Sequence, residues 1–282
     1  QMTEQSAASL RGGVDNGGLA ARIRSSPAGF RTLAVSYCNR DLYSGTGQVD
    51  PNNPNLNADS SAKTTNGLLA TKAAIEFTRI TYPTGKFFVA GGSAGSVGSY
   101  YVSWALQLSG TAPAGIVGDA SVVNVAQGEA AAEQGACTAS HYSPAQADII
   151  RQRVDPATAD PANEADKLVS SGRLTVPILH IWNHGDVNTC GSVPMQCPLR
   201  DGTVVTMGNT DCNHAPLAAA IDAQGPGSRS KNLPVCVDND AVADCSVHVV
   251  TPKSGLVNTD PASPADYNAA AMAWVDARLS DT

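Results

Sequence analysis

Short apolar segments alternate along the chain with longer segments of helical periodicity, and this alternation limits the possible folds. The predicted strands are Phe30–Tyr37, Lys86–Ala90, Ala114–Gly118 and Val176–Trp182. Strands that alternate with helices of ten or more residues form a mostly parallel sheet with helices on both faces. We therefore predict an α/β fold, and the length of 282 residues fits a single domain over 1–282.

The spacing of apolar residues predicts three amphipathic helices. Their apolar faces hold Leu69, Ala73, Phe77 and Ile80; Val97, Tyr101, Trp104 and Leu108; and Tyr267, Ala271, Val275 and Leu279. The last helix follows a cap signature at Ser263-Pro264. A similar signature at Ser143-Pro144 starts a helix within residues 120–172, an insertion that would form a small lid above the strand ends.

Composition restricts the class of partner. The net charge is −7, whereas nucleic acids and anionic membrane surfaces require a basic face. No apolar run approaches the roughly 20 residues that span a bilayer. We therefore expect neither a nucleic-acid partner nor a membrane span. The polar segment that begins at Gln1 indicates a processed or truncated N-terminus.

Seven cysteines, most of them in the C-terminal half, indicate two or three disulfide bonds and a secreted protein, extracellular or periplasmic. We predict the pairs Cys190–Cys197 and Cys236–Cys245, within a Cys-rich excursion over 187–245. The alternatives are reduced, buried cysteines or a zinc site of three cysteines and His214, although the ligand spacing is looser than in structural zinc sites. Because seven is odd, at least one thiol is free or has its partner outside the chain.

The segment Gly91–Gly95 (GGSAG) fits the G-x-S-x-G pattern of a nucleophile elbow. It follows an apolar strand and opens an amphipathic helix, the setting that such an elbow needs. A sharp turn would lift the Ser93 hydroxyl above the sheet, the two outer glycines would leave room for crossing backbones, and Gly98 would allow close helix–strand packing. The Ala94 N–H would then face a developing oxyanion. The alternative is a turn that only packs or that binds phosphate.

A serine hydroxyl needs a histidine to accept its proton and a carboxylate to orient that histidine. The chain order in this fold is serine, acid, histidine. Asp186, directly after the strand 176–182, is the favoured acid, and Asp119, after the preceding strand, is the alternative. His248, shortly before the final helix, is the favoured base, and His214 is the alternative.

Three segments, Val35–Asp41 (VSYCNRD), Gly91–Gly95 and Cys245–His248 (CSVH), occur in this order. They resemble the P-Y-C-x-G-D turn, the G-x-S-A-G elbow and the C-x-x-H base of the pectin acetylesterase-like family of extracellular carboxylesterases. The resemblance implies an α/β-hydrolase fold with Ser93 as nucleophile, His248 as base and Asp186 as acid. The chain departs from the family at Asn39-Arg40, where x-G is usual.

The resemblance also implies an activity, namely removal of acetyl or other short acyl groups from a polysaccharide, with no metal and no organic cofactor. The expected partner is therefore an ester substrate, which could be polymeric. One alternative is a polyester or lipid depolymerase, or a peptidase, with the same triad. The other alternative is a catalytically inactive binding module.

The family carries a glycine-rich segment ahead of the strand that corresponds to 30–37, and this segment supplies further oxyanion donors. Residues 1–29 contain Gly12-Gly13 and Gly17-Gly18, but no apolar strand leads into them. The hypothesis is that the first strands of the sheet belong to a separate N-terminal segment of the same precursor. The strand at 30–37 would then lie beside an exposed sheet edge.

Overall fold

The computed structural model describes residues 18–36, 41–49, 56–83, 85–120, 125–137, 164–191, 193–235, 246–251, 257–258 and 265–281. In chain order, the elements are α1 (Gly18–Ser25), β1 (Gln48–Val49), β2 (Thr64–Thr65), α2 (Gly67–Thr81), β3 (Phe88–Gly92), α3 (Ala94–Leu108), β4 (Gly115–Asp119), α4 (Val125–Glu133), α5 (Ala165–Ser170), β5 (Ile178–Asn183), β6 (Pro194–Pro198), β7 (Val204–Gly208), α6 (Asn209–Asp222), β8 (Lys231–Val235), β9 (Val257–Asn258), β10 (Ala265–Asp266) and α7 (Tyr267–Ser280).

A four-stranded parallel sheet in the order β3-β4-β5-β8 forms the centre of the described structure. Strands β3, β4 and β5 lie within a few residues of the segments that the sequence predicts. Successive residues of β4 and β5 point to opposite faces, so Ile116 and Ile178 pack on one side while Val117 and Leu179 pack on the other. The predicted α/β architecture is confirmed at this level.

Helices cover both faces of the sheet. On one face, α3, α5 and α6 contribute a buried cluster that includes Val97, Tyr101, Trp104, Leu168, Leu217 and Ile221. On the other face, α1 and α7 contribute a cluster that includes Leu19, Tyr267, Ala271, Trp274 and Val275. The predicted apolar face of α7 is therefore confirmed by its three buried members, and Leu279 is partly buried.

Residues 30–36 are not a strand, so the prediction for Phe30–Tyr37 is wrong over its described part. The Phe30 ring packs against the Phe88 ring of β3, at 6.2 Å between centroids, and the Val35 carbonyl accepts from the Tyr43 hydroxyl in the loop at 41–45. Of the apolar residues in 30–36, Phe30 packs against the cluster of α7 while Leu33 is exposed, so an apolar run does not by itself require backbone pairing. Among the described strands, β3 pairs with β4 alone and forms one edge of the sheet.

The strand β8 lies inside the region that the sequence assigns to a Cys-rich excursion. It pairs in parallel with β5 and completes the described sheet. Pro234 within the strand lacks an N–H and therefore lowers the strand signal, but a proline is tolerated in an edge strand. The rest of the described excursion forms the β6–β7 hairpin and α6.

The apolar stripe of α2 faces solvent. Leu69, Phe77 and Ile80 are exposed by 50%, 70% and 80%, whereas the residues of α2 that are buried are Leu68 and Thr71. Helical periodicity shows which residues share a face, but it does not show which face meets the protein. Leu108, at the end of α3, is likewise exposed, contrary to its predicted place on the inner face.

Several predictions lie outside the described residues. These are the helix starts at Ser143 and Ser263, most of the lid over 120–172, and the pair Cys236–Cys245. None of the helices in the described part of the chain is long and apolar enough to cross a lipid bilayer.

Candidate active site

Ser93 lies on a sharp turn between β3 and α3, at the carboxyl end of the parallel sheet. Its backbone has φ 53° and ψ −121°, a strained conformation for a residue with a side chain. The Ser93 N–H donates to the Asp119 carbonyl at 2.9 Å, which ties the turn to the end of β4. The local geometry is therefore that of the predicted elbow.

The glycines around Ser93 differ in whether the structure has room for a side chain in their place. A Cβ on Gly91 would lie 2.1 Å from the Gly95 carbonyl oxygen, so the two backbones cross as predicted. A Cβ on Gly95 would meet only the Tyr43 ring, at 3.9 Å, so the prediction that Gly95 is also needed for space is wrong. A Cβ on Gly98 would lie 2.5 Å from Tyr43, so this glycine accommodates the loop at 41–45 and not the strand, contrary to expectation.

His248 connects Ser93 to a carboxylate. Its Nε2 lies 2.7 Å from the Ser93 Oγ, and its Nδ1 lies 2.6 Å from Oδ2 of Asp186. Because the carboxylate can only accept, the partners assign the proton of the neutral imidazole to Nδ1 and leave Nε2 to accept from the serine hydroxyl. The structure thus brings together Ser93, His248 and Asp186, the three residues that the sequence favours.

Asp186 is fixed by its own turn. It is buried, its Oδ1 accepts from the Asn188 N–H at 2.8 Å, and its carbonyl accepts from the Gly191 N–H at 2.7 Å. The turn follows β5 directly, so the end of that strand positions the carboxylate beside the end of β4. The remaining oxygen, Oδ2, is the one that contacts His248.

The base loop, residues 246–251, is held by contacts on either side of His248. Asn183, at the end of β5, donates through Nδ2 to the Val247 carbonyl at 3.1 Å. The Tyr267 hydroxyl donates to the Val250 carbonyl, and the Thr251 N–H donates to Oδ2 of Asp119 at 2.6 Å. These contacts join the loop to two strands of the sheet and to α7.

Ala94 is the first residue of α3. The first N–H groups of a helix have no intrahelical acceptor and carry the positive end of the helix dipole. The Ala94 N–H is therefore available to an anion that forms next to the Ser93 Oγ. The role predicted for Ala94, donation to an oxyanion, stays a prediction.

The alternative base, His214, is buried away from this chain of hydrogen bonds. Its Nδ1 lies 2.8 Å from Nε2 of His180, and its ring stacks on Trp182 at 5.2 Å between centroids. Burial lowers the pKa of His180 to about 4, although its hydrogen bond to Oδ1 of Asn232 raises it in part, and burial, His180 and His248 lower the pKa of His214. Both histidines are therefore neutral near pH 7.

The alternative acid, Asp119, is fully buried at the end of β4, and its side chain accepts from the base loop. Burial raises its pKa to about 6, although the hydrogen bonds from residues 250–251 and the charge of His248 lower it in part. From its place after a strand, Asp119 is predicted only as an alternative acid. A carboxylate after a strand carries no sequence signal for a backbone partner more than a hundred residues away.

The two disulfide bonds among the described residues contradict one of the predicted pairs. Cys137 is bonded to Cys190, and Cys197 to Cys212, so the prediction of a Cys190–Cys197 pair is wrong. Cys190 follows the Asp186 turn and reaches the segment after α4, whereas Cys197 lies on the inward face of β6 toward α6. With these three cysteines oxidised, they cannot bind zinc with His214, and no candidate metal cluster occurs in the described ranges.

Comparison of the chain with protein-family models, with curated proteins and with solved structures finds no match.

Proposed function

We propose that this protein is a serine carboxylic ester hydrolase of the α/β-hydrolase type, with Ser93, His248 and Asp186 as its catalytic triad. The observation that carries the proposal is the continuous hydrogen-bonded chain from the Ser93 Oγ through both nitrogens of His248 to Asp186. The strained turn at Ser93 supports the same assignment, since a strained backbone of this kind occurs where a tight turn exposes a nucleophile above the sheet.

In the proposed reaction, the Ser93 Oγ attacks the ester carbonyl carbon while Nε2 of His248 takes the hydroxyl proton. Asp186 holds the imidazole in the required tautomer and stabilises the imidazolium. The Ala94 N–H donates to the oxyanion, and the loss of one such donor typically costs about 3 kcal/mol of transition-state stabilisation. The proton then passes to the leaving alcohol, and water, activated in the same way, releases the acid and regenerates Ser93.

The substrate class is proposed from the resemblance to pectin acetylesterase-like enzymes. We propose short acyl esters, acetate above all, carried on a polysaccharide. We also propose that the protein is secreted. Two disulfide bonds in the described structure are compatible with an oxidising compartment.

The test is covalent labelling by a fluorophosphonate together with hydrolysis of para-nitrophenyl acetate. Ser93→Ala abolishes labelling, and His248→Ala lowers kcat by about 10,000-fold or more. His214→Ala, the matched control, retains most of the activity because that ring lies in the His180 network. If His214→Ala is inactive and His248→Ala is active, the base is His214.

The same assay separates the alternative functions. An unlabelled wild-type protein would be an inactive binding module, since only an activated hydroxyl reacts with the probe. Faster turnover of long-chain esters than of acetate would favour a lipid or polyester substrate. Cleavage of peptide substrates in preference to esters would indicate a peptidase.

A further inference from the structure

Asp119 connects the two sides of the candidate active site. Its main-chain carbonyl accepts from the Ser93 N–H at 2.9 Å, and its Oδ2 accepts from the Thr251 N–H at 2.6 Å. One residue thus holds both the turn that carries the proposed nucleophile and the loop that carries the proposed base. In the sheet, Asp119 is paired with Gly92 on β3 and with Ile181 on β5, midway between the strands that lead to Ser93 and Asp186.

The side chain occupies this place at an energetic cost. Asp119 is completely buried, and its Oδ1 has no hydrogen-bond partner. A buried carboxylate with an unsatisfied oxygen is unfavourable, and an apolar or amide side chain would avoid the cost of burying its charge. Features that are costly to the fold are frequently retained at functional sites.

The contact to Thr251 is well placed to fix His248. Thr251 lies three residues after His248, and its own carbonyl accepts from the Leu19 N–H at 2.8 Å, so the loop is held there on both sides. The Nε2 of His248 must stay within hydrogen-bond reach of the Ser93 Oγ in order to accept its proton. A shift of the loop by one ångström would break that contact.

We propose that Asp119 is a positioning residue for His248, acting through the hydrogen bond that its carboxylate accepts from the Thr251 N–H. It touches neither the substrate nor the reacting atoms. The proposal rests on the proposed function for its kinetic consequence, but the positioning of the imidazole can be measured without turnover.

The test compares Asp119→Leu with Asp119→Asn, two side chains of similar size that differ in the acceptor oxygen. Asp119→Leu lowers kcat for para-nitrophenyl acetate by about 100-fold with little change in KM, because misplacement of a catalytic group costs about this much. Asp119→Asn restores most of the loss, since its Oδ1 can accept from Thr251. Asp119→Ala serves as a second variant without the acceptor, in case leucine prevents folding.

A readout without turnover is the far-downfield N–H proton of His248 in its hydrogen bond to Asp186, assigned by its loss in His248→Ala. We expect the resonance in the wild type and in Asp119→Asn, and its broadening or loss in Asp119→Leu. If the wild type and Asp119→Asn show the resonance and Asp119→Leu does not, but the wild type has no esterase activity, the positioning role stands and the proposed function fails. If the variants without the acceptor keep both the resonance and kcat, or if Asn and Leu are equally impaired, the positioning role is wrong.

Discussion

Asp119 and His180 are both fully buried ionisable groups, and their protonation affects stability with opposite sign. Burial raises the pKa of Asp119 from 3.8 to about 6. Between these values the unfolded carboxyl is ionised while the folded one is still protonated, so the free energy of unfolding falls as the pH rises, by up to about 3 kcal/mol. Burial lowers the pKa of His180 from 6.5 to about 4, so stability falls as the pH drops through that window, by about 3 kcal/mol.

We therefore predict that these two contributions largely oppose each other in the wild type between pH 4 and pH 6, and that variants separate them. In Asp119→Asn, the free energy of unfolding rises with pH over this range, because His180 and His214 are protonated in the unfolded chain while burial lowers their pKa in the folded protein. In His180→Gln/His214→Gln, which keeps polar groups but removes both imidazoles, it falls with pH. Urea denaturation at several pH values measures both slopes. Equal slopes in the two variants would contradict the assignment of these groups as buried and titrating.

The role of each residue could be predicted only where the signal is local or ordered along the chain. Ser93 follows from its pattern, Asp186 from its place after a strand, and His248 from chain order. The link from Asp119 to Thr251 joins positions that are far apart in sequence, and the donor is a backbone N–H that any residue except proline provides. No residue pattern therefore indicates it.

At the scale of elements, the junction between β3 and α3 depends on Gly91 more than on Gly95. We predict that Gly91→Ala prevents formation of the turn, because the added Cβ would lie 2.1 Å from the Gly95 carbonyl oxygen, in backbone that cannot move independently. Gly95→Ala is the matched control, since its Cβ would meet only the Tyr43 ring at an ordinary 3.9 Å.

The expected result is loss of fluorophosphonate labelling at Ser93 in Gly91→Ala and its retention in Gly95→Ala. The melting temperature falls by several degrees in the former and little in the latter, in line with the usual effect of overpacking by 1–3 kcal/mol. Similar labelling of the two variants would mean that the backbones do not cross as closely as the structure has them.

The sequence predicts whether a segment is a helix or a strand better than it predicts what the segment packs against. Periodicity predicts the strands β3, β4 and β5 and the helices α2, α3 and α7, because the spacing of apolar residues follows the period of the local backbone. The exposed stripe of α2 and the unpaired segment 30–36 were not predictable in the same way. What covers an apolar face is decided by packing between distant segments.

At the scale of the whole molecule, the disulfide bonds join regions that the sequence cannot pair. Cys137 and Cys190 are 53 residues apart, and their bond connects the segment after α4 to the turn that carries Asp186. Cys197 and Cys212 are 15 residues apart and connect β6 to α6. Spacing favours near neighbours such as Cys190 and Cys197, but the fold bonds each of them to a cysteine farther away in the sequence, so connectivity requires the three-dimensional structure.

We predict that the two bonds can be distinguished by their effect on activity. Loop-closure entropy alone predicts that the free energy of unfolding falls by about 4 kcal/mol in Cys137→Ala/Cys190→Ala and by about 3 kcal/mol in Cys197→Ala/Cys212→Ala.

Only loss of the Cys137–Cys190 bond also releases the turn at Asp186, whose carbonyl accepts from the Gly191 N–H next to Cys190. Measured well below both melting temperatures, kcat for para-nitrophenyl acetate should fall about 10-fold or more in the first variant. It should stay within about twofold of the wild type in the second, in which α6 still holds Thr210 against the Asp186 carbonyl. Equal losses of kcat in the two variants would show that the Cys137–Cys190 bond stabilises the fold without orienting the acid.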